Sequence, residues 1–116
     1  MTHIIAVVVD CRDAERLADF WRSALDYLAP RRWRDSAGLE YVELDGTPSL
    51  LFQPVSEDRA GKNRLHLDLA PTERDQAEEV ERLRGLGATV LADEPGFPWV
   101  VLADPEGNEF CVLPRR

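Results

Sequence analysis

The sequence predicts an α+β fold of two paired β-α-β-β-β modules forming a curved mixed sheet around a cleft, with the helices outside. Three observations predict it. Two stretches, Leu17 to Leu28 and Ala77 to Leu86, carry apolar side chains at helical spacing. Each follows one strand-like apolar run and precedes three more, separated by turns rich in Gly, Pro and Asp. The same order therefore occurs twice, with a period of about half the chain.

The elements follow in order. Thr2 to Val9 is apolar and β-branched and predicts a buried strand. Residues 10–13 turn the chain, and Asp13 can cap the helix behind it. Leu17, Ala18, Trp21, Ala24, Leu25 and Leu28 form that helix's apolar face, with Trp21 in the core and Pro30 as the stop. Strands are predicted at Arg31–Arg34, Leu39–Leu44 and Ser49–Pro54. Residues 56–63 are polar and form a linker between module one (1–55) and module two (64–116) of a single domain. Arg64–Ala70 is the next strand. Thr72, with Asp75 three residues on, opens the second helix, whose stripe is Ala77, Val80, Leu83 and Leu86 and whose end is Gly87. Its acidic stretch, Glu73 to Glu81, predicts a solvated face. Ala88–Leu91, Trp99–Ala103 and Glu109–Leu113 complete the module.

Composition excludes several classes. With 44% hydrophobic and 31% charged residues the chain can build a core, and disorder is excluded. A net charge of −8 and a pI near 4.7 argue against nucleic acid, which needs basic residues gathered on one face. No apolar run approaches the roughly 20 residues of a membrane span, and the first residues lack the pattern of a signal peptide. A cytoplasmic protein is expected, with Cys11 and Cys111 reduced.

Strand alternation selects candidate site residues. His3 shares a face with Ile5 and Val7, Leu51 with Gln53, His66 with Asp68, and Glu109 with Cys111. The purely apolar faces should pack under the helices. The mixed faces should line the cleft, and aromatic residues near strand ends, Trp33, Phe97 and Trp99, could wall a ligand pocket or pack an interface.

Three stretches carry a family resemblance: His3 to Asp10 with the following helix containing Phe20 and Trp21; Asn63 to Leu69 with the following helix ending at Gly87; and Leu102 to Leu113, with its turn Asp104, Pro105, Glu106, Gly107, Asn108. With the repeated element order, they resemble the vicinal-oxygen-chelate superfamily, and within it the small glyoxalase-like and bleomycin-resistance proteins. The resemblance implies a homodimer, a small-molecule ligand and a divalent metal held by one residue near the start of the first strand and one on the fourth strand of each module. Those positions here hold His3, Gln53, His66 and Cys111. The two histidines fit; Gln53 and Cys111 stand where carboxylates are usual. Two His and a thiolate suit zinc best, while hard ions would want carboxylates, so the expectation is zinc or no metal. A glyoxalase I reaction also needs a carboxylate base, and only Glu109, one pleat from Cys111, is near. No catalytic residue is assigned.

The resemblance leads to a lyase or isomerase acting on an oxygen-rich metabolite. The alternative is a metal-free module that sequesters a cationic compound, as bleomycin-resistance proteins do. A third is an interaction domain without pocket chemistry. The extradiol-dioxygenase branch fits least, because its iron needs a carboxylate where Cys111 stands.

Overall fold

The computed structural model describes residues 1–116. It divides into two compact units, Met1–Asp58 and Arg59–Arg116. Module one runs β1 (Val7–Cys11), α1 (Ala14–Leu25), β2 (Arg31–Arg34), β3 (Glu40–Leu44) and β4 (Leu50–Pro54). Module two runs β5 (Leu67–Leu69), α2 (Gln76–Leu86), β6 (Thr89–Ala92), β7 (Val100–Ala103) and β8 (Glu109–Val112). The α+β class and the doubled β-α-β-β-β order are as the sequence predicts. Each module makes its own four-stranded mixed sheet, in the orders β1-β4-β3-β2 and β5-β8-β7-β6. The first and fourth strands of each pair in parallel and the remaining pairs are antiparallel.

In module one, α1 packs on β3 and β4. Leu17, Trp21, Val42, Leu44, Leu50 and Phe52 are buried there. Phe20 is also buried and meets Trp21 edge-on, ring centroids 5.2 Å apart, so it belongs to this core. In module two, α2 packs on β6 and β8, and Leu83, Leu102, Phe110 and Val112 are buried. The other face of each sheet is not covered by its own helix, and we call it the open face.

Several boundaries move for identifiable reasons. β1 starts at Val7, not Thr2, because its first pairing is Val7 with Leu50; the preceding apolar residues have no adjacent strand, and Ile4 and Ile5 are exposed. Asp10 and Cys11, read as turn, continue β1 opposite Gln53 and Pro54. Helix α1 does not run to Pro30. Asp26 takes the left-handed conformation (φ 56°, ψ 40°), and its N–H caps the Arg22 carbonyl, leaving Leu28 outside. The second helix opens at Asp75, not Thr72. The Asp75 carboxylate accepts from Glu78 N–H at 2.8 Å, and Glu78 accepts from Asp75 N–H at 3.0 Å, a reciprocal capping box. Gly87 (φ 124°) closes it as expected.

The acidic stretch of α2 is not wholly solvated. Glu79 is buried, and Arg82 donates to both its oxygens at 2.7 and 3.0 Å. Those hydrogen bonds hold the Glu79 carboxyl below its ordinary pKa, against the opposing effect of burial. Ala77 and Leu86, predicted for the apolar stripe, are exposed.

Candidate functional site

Register places the candidate residues. On β8, Phe110 and Val112 turn to the helix-covered face, which leaves Glu109 and Cys111 on the open face. Asp68 pairs directly with Cys111, and Val101 flanks Cys111 on the other side. His66 lies one residue before β5, on the same side as Asp68 by alternation.

The result is a compact trio. One ligand-capable atom each from His66, Asp68 and Cys111 lies within 4.8 Å of the others. His66 Nε2 stands 3.3 Å from Asp68 Oδ1. His66 and Asp68 are about half exposed. Cys111 is half-buried, and burial foremost, then the charge and hydrogen bond of Asp68, pushes its thiol pKa upward. By itself Cys111 is therefore a protonated thiol and not a ready nucleophile. Neither cysteine is in a disulfide.

The loop ahead of β8 is built to deliver these residues. Asp104 is buried and accepts from the N–H groups of Glu106 (2.9 Å) and Asn108 (3.0 Å). Gly107 supplies the positive φ of 88° that the turn requires. Asn63 donates to the Asn108 side chain at 2.7 Å, which ties the approach to β5 to this turn. Arg59 donates to the Gly107 carbonyl and, at 3.0 Å each, to both oxygens of Glu109. The Arg59 hydrogen bonds hold the Glu109 carboxyl pKa below its ordinary value. Glu109, the one carboxylate the sequence offers as a base, is engaged by Arg59.

Module one carries the same frame with different chemistry. Asp10 pairs with Gln53 as Asp68 pairs with Cys111. Counting back two residues from each aspartate, the position of His66 is occupied in module one by Val8. His3 lies seven residues before Asp10, outside β1 and exposed, and has no register partner. Leu51 lies on the open face between Val8 and Glu43. Trp33 is stacked on Tyr41. In module two, Phe97 and Trp99 stack with centroids 5.1 Å apart and are each about half exposed. Asp10 is the residue that a turn assignment misses. The signal was present as a repeat: Val8, Val9, Asp10 matches His66, Leu67, Asp68 at two of three positions in character.

Comparison with known proteins agrees with the architecture. The family described as glyoxalase-like domain matches residues 6–113, nearly the whole chain. The chain belongs to this family, within the vicinal-oxygen-chelate superfamily. Among solved structures it is similar to the fosfomycin resistance protein FosX from Mesorhizobium loti, with TM-score 0.72 and 17% identity over 97% of this chain and 91% of that one. FosX from Listeria monocytogenes, solved with Mn(II) and 1S,2S-dihydroxypropylphosphonic acid, gives TM-score 0.79 and 10% identity over 97% and 92%. The trypanothione-dependent glyoxalase I of Leishmania major gives 0.69 and 19% over 97% and 86%. At these identities the likeness is one of fold. No curated protein matches the sequence.

Proposed function

We propose that this chain is a glyoxalase-like small-molecule enzyme, a lyase or isomerase for an oxygen-rich metabolite, that uses a divalent ion held by His66, Asp68 and Cys111. One observation carries the reading: the three ligand atoms lie within 4.8 Å of one another. Tetrahedral zinc with bonds of about 2.0–2.3 Å sets its ligand atoms about 3.3–3.8 Å apart. Half-exposed side chains can close the remaining ångström by rotation. An imidazole nitrogen, a carboxylate oxygen and a sulfur make a donor set suited to zinc, and Asp68 supplies the carboxylate that Gln53 and Cys111 lack.

Three protein ligands leave a coordination position for substrate, the pattern of catalytic rather than structural zinc. When bound, the ion would supply Lewis-acid polarisation of a substrate oxygen. The chain's own contribution is orientation. Asp68 stands against both His66 and Cys111 and fixes them on one side of the sheet. Val101 gives the site an apolar flank. The Arg59–Glu109 pair beside it places a fixed dipole there and not a free base.

The sequence-level set also contained His3 and Gln53 as ligands; the proposal rests on the module-two trio. Its partners are the small-molecule ligand and a second copy of the chain. Ile4, Ile5 and Leu65 are 81, 78 and 87% exposed, a load of apolar surface that supports a homodimer contact. Cytoplasm is the compartment in which both thiols stay reduced.

The test is metal content of tag-free protein prepared without chelators. We expect about one zinc per chain, lost in His66→Ala and in Cys111→Ala. Failure to take up zinc, nickel, manganese or iron(II) would remove the metal and return the chain to the class of metal-free binding modules.

A further inference from the structure

The helix-covered side of module one carries a groove that the candidate site does not touch. Arg32 of β2 pairs with Val42, a buried residue of the covered face, so its side chain points toward α1 and away from the open face. There it donates to both oxygens of Glu15, from Nε to Oε1 and, at 2.8 Å, from Nη2 to Oε2. Beside this fork lies a cavity of about 130 Å³, lined by Glu15, Ala18, Asp19, Arg22, Pro30 and Arg32. Its four helical residues fall at i, i+3, i+4 and i+7, a single stripe along α1. Ala18, 1% exposed, forms the floor and Pro30 an apolar wall.

Two charges in this groove have no partner. Glu15 and Arg32 satisfy each other, whereas the Asp19 carboxylate and the Arg22 guanidinium make no hydrogen bond or ion pair with the protein. Helix α2 shows that spacing is not the reason. There Glu79 with Arg82, and Glu81 with Arg84, stand in the same relation of an acid three residues before an arginine, and they close at 2.7 and 2.8 Å. Asp19 is one methylene shorter than those glutamates. In α1 the carboxylate and the guanidinium therefore stay apart, and both border the cavity.

We propose that this groove binds a small amino acid as its zwitterion. The ammonium donates to Asp19, the carboxylate accepts from Arg22, and a short aliphatic side chain rests on Ala18 and Pro30. Each group that lacks a partner in the protein gains one from such a ligand, whereas a ligand with one charge satisfies one group and leaves the other. Size agrees: the cavity equals the liquid share of about four waters at ~30 Å³ each, room for a molecule as small as alanine and not for a long one. Two acids and two arginines make the groove formally neutral, which suits a zwitterion better than a bare cation or anion. This inference stands on α1 and β2 alone and does not depend on metal in module two.

The experiment is a titration of the full chain with L-alanine, followed by NMR at the Ala18 and Asp19 backbone amides and the Arg32 Nε–H. Saturable shifts are expected, with a Kd on the order of a millimolar for so small a ligand. Propionate, which lacks the ammonium, and L-alaninamide, which lacks the carboxylate, should each bind at least about tenfold more weakly, the usual scale for losing one charged hydrogen bond. Asp19→Asn and Arg22→Gln, both at exposed positions, should weaken L-alanine by a similar factor. Asp19→Glu should weaken it too, because a glutamate there reaches Arg22 as Glu79 reaches Arg82 and closes the gap. Shifts that rise without saturating, equal affinity for either singly charged analogue, or undiminished affinity in any of the three variants would overturn the proposal.

Discussion

The two modules share a frame and differ in what they hang on it. Both cap their helix with an aspartate, Asp13 and Asp75, and both bury a phenylalanine in the fourth strand, Phe52 and Phe110. Both pair an aspartate of the first strand with the residue after that phenylalanine. Helix-covered positions are thus held to similar chemistry by the need for a core, while open-face positions diverge. Module one shows Val8, Asp10, Gln53 and a Trp33–Tyr41 stack; module two shows His66, Asp68, Cys111 and the aliphatic pair Val101 and Ala92. What the difference teaches is that the modules diverge on the face the helix leaves uncovered, which is where the proposed metal site lies.

The largest effect should come from breaking what the modules share. Phe52 and Phe110 are 0 and 1% exposed. Truncating either to alanine should cost about 3–5 kcal/mol, as lost burial and a new cavity combine. Denaturant unfolding of Phe52→Ala and Phe110→Ala should show similar losses; a loss confined to one variant would mean that the modules do not carry equal weight in the fold.

Next comes an attempt to erase the difference. If His66, Asp68 and Cys111 bind zinc, module one needs two changes to copy them, because Asp10 is already in place. The double variant Val8→His with Gln53→Cys should raise zinc from about one to about two per chain by elemental analysis. Val8 is half exposed, so the histidine meets no packing conflict. One zinc in the double variant would show that the frame alone does not make the site. In the reverse direction, Asp68→Asn should weaken zinc binding by at least about tenfold, the lower end for loss of a charged group at a metal.

How much of this was legible beforehand follows the same division. Alternation and helical spacing identified the element order and most core residues, because burial imposes a period that a sequence displays. Leu50, Phe52, Phe110 and Val112 could be assigned to the covered face from parity alone. The trio was less legible. His66, Asp68 and Cys111 were all visible as candidates, but that Asp68 sits opposite Cys111 depends on a parallel pairing between strands some forty residues apart. His3 looks like the counterpart of His66 because each stands before an apolar run. Register makes the counterpart Val8 instead, since strand β1 begins only where Leu50 is available to pair. The sequence places the helix start three residues too early, because Thr72 and Asp75 imitate what Asp75 and Glu78 do. Glu79 is not legible as a buried residue from composition, because its charge is matched by two hydrogen bonds from Arg82, three residues on.

That residue gives a third test. Counting from the caps, Glu79 occupies in α2 the position of Leu17 in α1, which is fully buried. One helix solves the position with a hydrophobe and the other with an ion pair. Because the Glu79 pKa is lowered in the folded state, the ion pair's contribution is present above the unfolded value of about 4.3 and is lost as pH falls through the folded value. Glu79→Leu should flatten the stability loss below about pH 4 while leaving neutral stability unchanged or raised, since apolar replacement of a buried pair is often neutral or favourable. Unchanged acid sensitivity in that variant would assign the loss to other carboxylates.

The smallest effect tests the caps against each other. Asp13 accepts from Arg16 N–H at 3.1 Å and has arginine, not glutamate, at the third helical position, the residue type a capping box requires being absent there. Asp75 accepts a shorter bond, 2.8 Å, and Glu78 completes the box. Each alanine substitution should cost about 1 kcal/mol, the usual value for a lost cap. Asp75→Ala should cost a few tenths more, because Glu78 then loses the partner geometry that holds its carboxylate at the helix start. The converse is the sharper measurement. Arg16→Glu would give α1 the box that α2 has and replace a positive charge near the helix N-terminus by a negative one. Thermal unfolding of Arg16→Glu should rise by a few degrees, and a fall would mean that Arg16 serves module one in a way its cap does not reveal.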